Sequence, residues 1–415
     1  MNKKKIIVPL LLLLAVAVYF TVFRKDKRLR YIPQNADALV LIDTKKLTGQ
    51  YLFSWLTHPS VWSGSKAKSK SSGPVKDSGI RIPDFLQIFH IKDTRFSEWY
   101  TILELKDSQK FIARLKKQKF TDKGNNCFQK GQIFFRVEGN ICIAGTSDSA
   151  FKTIQKQVLQ PSANHIWDAD QFIHNTLGSI SFISGQKIQN FSIELNDDEI
   201  EIRNNPDIEI FDAIFSKLQK ENHFLELELD KENIRNFTRF FKKGIADSLQ
   251  ANSLKAIADL EQVNDTIISY EYDDNFNEVE KKTFQKITQP NYLINIESDN
   301  SVKMWEYFQS KKWINSENQF TAIPFQPNKI SSNNNEIVIQ STRKPVKLSP
   351  QLNENYFLIR NNALLYSSLK SLTDSEKKII SDIDYILYGN KAQNYWVKIK
   401  AKKGDLPLIL RGNLN

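Results

Sequence analysis

The sequence predicts an α+β protein: two tandem, related modules of antiparallel sheet with helices packed on one face, after an N-terminal transmembrane helix. Three observations predict it. A strand, an aspartate and an amphipathic helical pattern follow one another at Ala38–Trp55 and again at Leu225–Phe241. Elsewhere, short alternating runs separated by polar or glycine turns dominate, as antiparallel hairpins require. A single uncharged, apolar run, Ile6–Phe23, precedes both. With 415 residues the chain can bury two cores. The expected division is a tail, anchor and basic flank at 1–30, a first module at 31–210 and a second at 211–415.

The run IIVPLLLLLAVAVYFTVF is long enough to cross most of a bilayer core as a helix rising about 1.5 Å per residue. Lys3, Lys4 and Lys5 precede it, and Arg24, Lys25, Lys27, Arg28 and Arg30 follow. Ala15-Val16-Ala17 has the small-x-small pattern of a cleaved signal peptide. Cleavage there would leave VYFTVF exposed on the new terminus, and the run exceeds a usual signal core, so an uncleaved signal anchor is expected. The two basic flanks nearly cancel in the positive-inside rule. A short tail before a large body suits export, which places the body in the periplasm, on a bacterial inner membrane.

The net charge of +11 is concentrated in that segment and in the insertion at 63–79, which carries Lys66, Lys68, Lys70 and Lys76. The remaining body is close to neutral, which argues against nucleic acid as a partner. The insertion holds Ser, Lys, Gly and Pro and almost nothing apolar, so it is expected as a disordered loop, or, on a tethered chain, as a basic arm against anionic headgroups. The 27 Phe, 13 Tyr and 7 Trp point to packed cores.

In chain order, Ala38–Ile42 reads as a buried strand and the following helix places Leu47, Tyr51, Leu52 and Trp55 on one face. Trp99–Lys117 and Asn291–Lys312 each read as strand, aspartate and helix. CFQKGQIFFRVEGNICIAG reads as three antiparallel strands with turns at Lys130-Gly131 and near Gly139. FFRVEGNICIAGTSDSA (Phe134–Ala150) aligns with YFLIRNNALLYSSLKSL (Tyr356–Leu372), each as a hairpin leading to a helix. Those helices are marked by Phe151, Ile154 and Val158, and by Ile379, Ile380, Ile383 and Leu387. Asn190–Asn204 aligns with Asn394–Asn413 as a second pair of hairpins. The second half also holds a helical pattern at Ser248–Glu261 and a further hairpin, IISYEYDDNFNEVEKKTF.

No constellation of catalytic residues recurs. GTSDS lacks the second glycine of a nucleophile elbow, and the aligned segment replaces Cys142 by Leu364 and Asp148 by Lys370. Ser147 is expected as a helix N-cap, as are Asp43, Asp107, Asp230 and Asp299, each between a strand and a helix. Thr373, with Glu376 three residues on, reads as a capping box. His58, His90, His165, His174 and His223 show no zinc-helix spacing. Asp273-x-Asn275-x-Asn277 begins like a calcium loop, but Glu278 and Phe284 occupy the positions that need glycine and a carboxylate, so it reads as a hairpin turn. Neither a P-loop nor a dinucleotide fingerprint is present, and no cofactor or metal is expected. Cys127 and Cys142 are expected as reduced, packed thiols: a two-residue turn at Gly139 puts them on opposite faces, and a three-residue turn leaves them two strands apart.

The basic-flanked helix followed by YIPQNADALVLIDTKKLTGQYL resembles uncharacterised membrane-anchored proteins of flavobacteria and related Bacteroidetes. KDSQKFIARLKK and FFRVEGNICIAG also resemble wider bacterial families of unknown function with a repeated α+β domain. The resemblance runs over most of the chain, implies an envelope location and transfers no catalytic residue. The expectation is a non-catalytic, single-pass envelope protein whose exported body binds a protein partner as a scaffold or accessory subunit. The alternative is a carrier or sensor of an apolar, lipid-like ligand in a cleft between the modules, and an enzyme of unrecognised type ranks behind both.

Overall fold

The computed structural model describes residues 25–60, 78–159, 167–205, 211, 214, 222–241, 251–325, 327–348, 354–368 and 374–411. The run Ile6–Phe23, nearly all of the 63–79 insertion, His165 and Thr373 lie outside the described residues. Among the described residues no helix is long and apolar enough to cross a membrane. The chain divides into two compact units: residues 1–204 with 404–415, and residues 205–403.

The first unit contains β1 (Arg28–Leu29), β2 (Ala36–Asp43), β3 (Phe85–Ile91), β4 (Trp99–Glu104), β5 (Thr121–Gly124), β6 (Cys127–Lys130), β7 (Ile133–Glu138), β8 (Ile141–Gly145), β9 (Trp167–Asp168), β10 (Gly178–Ser184), β11 (Lys187–Leu195) and β12 (Glu199–Arg203). Its helices are α1 (Thr44–Thr57), α2 (Ser108–Lys117) and α3 (Phe151–Leu159). β1 and β9 form a separate two-stranded ribbon. The others pair antiparallel in the order β12-β11-β10-β2-β3-β4-β8-β7-β6-β5.

The second unit contains β13 (Leu225–Asp230), β14 (Ala251–Tyr272), β15 (Glu278–Ser298), β16 (Asn328–Ser332), β17 (Glu336–Ser341), β18 (Asn355–Arg360), β19 (Ile383–Lys391) and β20 (Asn394–Ala401). Its helices are α4 (Lys231–Phe241), α5 (Ser301–Ser310), α6 (Ala363–Ser368) and α7 (Asp374–Asp382). These strands pair antiparallel as β20-β19-β18-β13-β14-β15-β17-β16. Taken in chain order, β13 to β20 occupy the sheet places of β2, β3, β4, β7, β8, β10, β11 and β12. α1 follows β2 as α4 follows β13, and α2 follows β4 as α5 follows β15.

Both faces of each sheet are apolar. In β8, Cys142 packs with Phe111 and Leu115 of α2, while its neighbour Ile143 packs with Leu39, Phe89 and with Phe151 and Ile154 of α3. Successive strand side chains point to opposite faces, so α2 and α3 cover opposite sides. In the second unit Phe357 packs with Leu227 and Phe308, whereas Tyr356 and Leu358 pack with Phe211 and Trp396. The expected α+β class with helices on one face is therefore corrected. Among the described residues the protein is mostly β, 48% strand against 21% helix, and helices lie against both faces.

Four expected elements also change. Ser248–Glu261 was expected to be helical, but from Ala251 it is strand, because β13 and β15 supply hydrogen bonds on both edges of β14. Tyr356–Leu372 is not a hairpin: β18 runs into α6. The helix at Ile379 and Ile380 stops at Asp382, and Ile383 and Leu387 belong to β19. The expected hairpin at Asn394–Asn413 ends as β20 at Ala401, and Leu408–Arg411 forms a short helix, α8, in the first unit. There Arg411 pairs with Asp198, the Leu408 N–H donates to the Asp197 carbonyl at 2.6 Å, and Leu410 is buried.

Candidate functional site

The strand-end aspartates divide into three caps and a neighbour. The Asp43, Asp107 and Asp230 carboxylates accept from the N–H groups of Lys46, Lys110 and Asn233 at 2.8, 2.9 and 2.8 Å. At α5 the cap is one residue later: Asn300 Oδ1 accepts from the Lys303 N–H at 2.9 Å, and Asp299 accepts from the Asn252 amide instead. Ser147 accepts from the Ser149 N–H in the turn ahead of α3, and α3 itself begins at Phe151. The turn after β7 has two residues, since Glu138 pairs with Ile141. Cys127 lies opposite Arg136 and Cys142 opposite Val137, so the thiols face opposite sides. Both are free. Burial raises the pKa of both, that of Cys142 to about 12.

His58, His90 and His223 make local polar contacts. His90 is buried, with Nδ1 2.6 Å from Asp37 Oδ1 and Nε2 3.0 Å from the Arg95 carbonyl. His223 Nδ1 meets the Asp259 carboxylate at 3.1 Å, and His58 Nδ1 the Ser54 carbonyl at 2.8 Å. His174 is exposed. Among the described residues no group of three or more His, Cys, Asp or Glu is placed to hold a metal ion.

The clefts among the described residues include three with polar linings, and in the first two those groups are paired with one another. One of about 250 Å³ lies between Asp26, Arg28, Arg30, Tyr31, Arg81 and Glu104. Its arginines are engaged with Asp26 and Glu104. The Tyr31 hydroxyl donates to Glu104 Oε1 at 2.6 Å. Burial first, and then that carboxylate, raise the Tyr31 pKa to about 12, so the phenol stays protonated at neutral pH. A second, of about 380 Å³, includes Glu98 and Ser149. Glu98 Oε2 accepts from the Ser149 hydroxyl at 2.6 Å and the Tyr100 hydroxyl at 3.1 Å. A third, of about 960 Å³, is lined by asparagines, serines, Glu297, Asp299 and Glu336 and has no aromatic wall.

The hairpin β14–β15 is of another kind. β13 pairs with β14 only over Ser253–Ala258, and β17 with β15 only over Leu293–Glu297. Among the described residues, the ten consecutive pairs from Val263↔Ile287 to Tyr272↔Glu278 have no strand partner but each other. At about 3.4 Å per residue this two-stranded ribbon extends roughly 30 Å. Directly opposed residues share a face, so Thr266, Phe284, Ile268, Tyr270 and Tyr272 line one side. Phe284 is 74%, Tyr270 62% and Tyr272 71% exposed.

The connecting turn is held by Asp273. Its carboxylate accepts from the N–H groups of Asn275 and Asn277, both at 2.8 Å, and from the Asn277 amide at 3.1 Å. The Asn277 N–H foremost, then its side chain, holds this carboxyl below the usual carboxylate range. The turn puts Phe276 at φ 61° with the residue 86% exposed. A left-handed backbone is unfavourable for a bulky residue, by about 1–3 kcal/mol. The Asp-x-Asn-x-Asn spacing thus builds a hairpin turn, and its product is a presented phenylalanine. Alternation marked this hairpin in the sequence, but its isolation was not visible, because that depends on where other strands stop.

Comparison with protein families, curated proteins and solved structures finds no match to this chain.

Proposed function

We propose that this is a non-catalytic, partner-binding protein of the bacterial envelope, held to the inner membrane through Ile6–Phe23 with its body in the periplasm. The observation that carries the reading is the β14–β15 arm. An isolated two-stranded ribbon is marginal in water, and this one exposes Tyr270, Tyr272, Phe276 and Phe284 together. Exposed apolar clusters of this kind mark interaction surfaces. Charged residues along β15, among them Glu278, Glu280, Lys282 and Lys286, oppose edge-to-edge strand addition. Binding then falls to the aromatic face and the tip.

The test places a photo-crosslinking residue at Tyr272 of the full chain in intact cells, with a second chain carrying it at exposed Lys123. The reading predicts one protein adduct at Tyr272 that is missing at Lys123. That adduct disappears when residues 263–287 are replaced by an Asn-Gly turn joining Gln262 to Thr288, a two-residue loop that suits a hairpin. Lack of a protein adduct at Tyr272 contradicts the reading. A reporter fused after Asn415 tests localisation separately: periplasmic activity is expected, and cytoplasmic activity overturns the orientation.

A further inference from the structure

We propose that the tip of the arm recognises a cationic protein surface with an apolar socket, into which Phe276 inserts. This rests on the partner-binding reading and adds the partner's chemistry. Between Tyr270 and Glu280 the chain carries Glu271, Asp273, Asp274, Glu278 and Glu280 and no basic residue. Lys281 reaches Glu271 at 2.7 Å and Lys282 reaches Glu280 at 2.8 Å, which leaves Asp273, Asp274 and Glu278 to set the sign of the tip. An anionic lipid surface and the identical tip of a second copy both repel such a charge. A surface rich in Lys and Arg attracts it, speeds encounter and fixes orientation.

Phe276 supplies the apolar half of the recognition. Its left-handed backbone is one that glycine adopts freely, and the residue is 86% exposed. Asn275 and Asn277 on either side are of the type that tolerates such turns. The aromatic ring therefore adds nothing to forming the turn, and its value lies in an intermolecular contact. The hydrogen bonds to Asp273 fix the turn before binding, which lowers the ordering cost of association. Tyr272 and Tyr270 continue the same patch with side chains that combine an apolar ring and a polar tip, as anchors at protein interfaces do.

The experiment uses the full chain in intact cells with the photo-crosslinker at Tyr272, and identifies the adducted peptide by mass spectrometry. Two variants accompany it: Phe276→Gly, which relaxes the turn while removing the ring, and the double change Asp274→Asn and Glu278→Gln. The proposal predicts an adduct on a Lys/Arg-rich peptide of another protein. It predicts that Phe276→Gly lowers the yield at least about tenfold with the melting temperature of the purified chain unchanged. It also predicts a lower yield for the double variant, and in isolated membranes as salt rises from about 0.05 to 0.5 M. An adduct to lipid, to a second copy of this chain or to an acidic peptide overturns it, as does a protein adduct that survives both variants. In that last case partner binding stands and only the tip chemistry fails. Absence of any protein adduct overturns both together.

Discussion

Single residues carry most of what the sequence made legible. Asp43, Asp107 and Asp230 cap their helices because a short carboxylate between a strand and a helix meets the helix's unpaired N–H groups. The rule missed by one position at α5, where Asp299 and Asn300 are both competent caps and local sequence does not choose between them. Asp43→Ala is expected to cost about 1 kcal/mol, measured by urea unfolding. Lys110 N–H bonding holds the Asp107 carboxyl low. At Asp230 burial raises the pKa, but bonds from Asn233 and Asn355 outweigh it and the net shift is downward. A depressed folded pKa stabilises above the ordinary carboxylate value and loses that contribution as pH falls through the depressed one. The melting temperature is thus expected to fall from about pH 5 to pH 3, and less steeply in the Asp107→Asn, Asp230→Asn double variant. Cys142, fully buried with its pKa raised by burial to about 12, is expected to resist alkylation at pH 7 until the chain is unfolded. Rapid labelling of the native protein at Cys142 contradicts that.

Elements were legible where periodicity and turn chemistry agreed. β6, β7 and β8 follow alternation plus glycine turns at Gly131 and Gly139, both with positive φ. Where apolar residues fit either period, tertiary pairing decided: the Ala256 region becomes β14 because strands bond to it on both sides. α1 shows the opposite limit, since its four expected face residues include Leu52, 51% exposed, and no residue of the helix is buried. Close packing in the sheet gives a sharp test at Gly178 in β10. A Cβ there would stand 2.8 Å from the Leu41 carbonyl oxygen and 2.8 Å from Ile42 Cδ1. Gly178→Ala is expected to destabilise by about 1–3 kcal/mol, read by denaturant unfolding. Trimming residues 263–287, which among the described residues pair in strands only with one another, is expected to leave the melting temperature of the body within a few degrees.

At the scale of the molecule, several segments that the sequence aligns between the two halves hold different places in their sheets. The sequence matches Phe134–Ala150 with Tyr356–Leu372, because alternation followed by a polar turn looks alike in unrelated hairpins and strand–helix corners. Strand pairing matches β7 and β8 with β16 and β17 instead, and β18 with β10. The far C-terminal segment was equally hidden, since its partners Asp197 and Asp198 are remote in sequence. Residues 205–403 are expected to unfold cooperatively as a fragment, whereas 25–204 without 404–415 should melt lower and recover when that peptide is added. Amide hydrogen exchange tests whether another protein occupies the β14–β15 arm. Exchange over residues 263–287 is compared between the full chain in native membranes and the purified chain. Slow exchange in membranes and fast exchange after purification are expected if a partner covers the arm. Equally fast exchange in both contradicts the partner-binding reading.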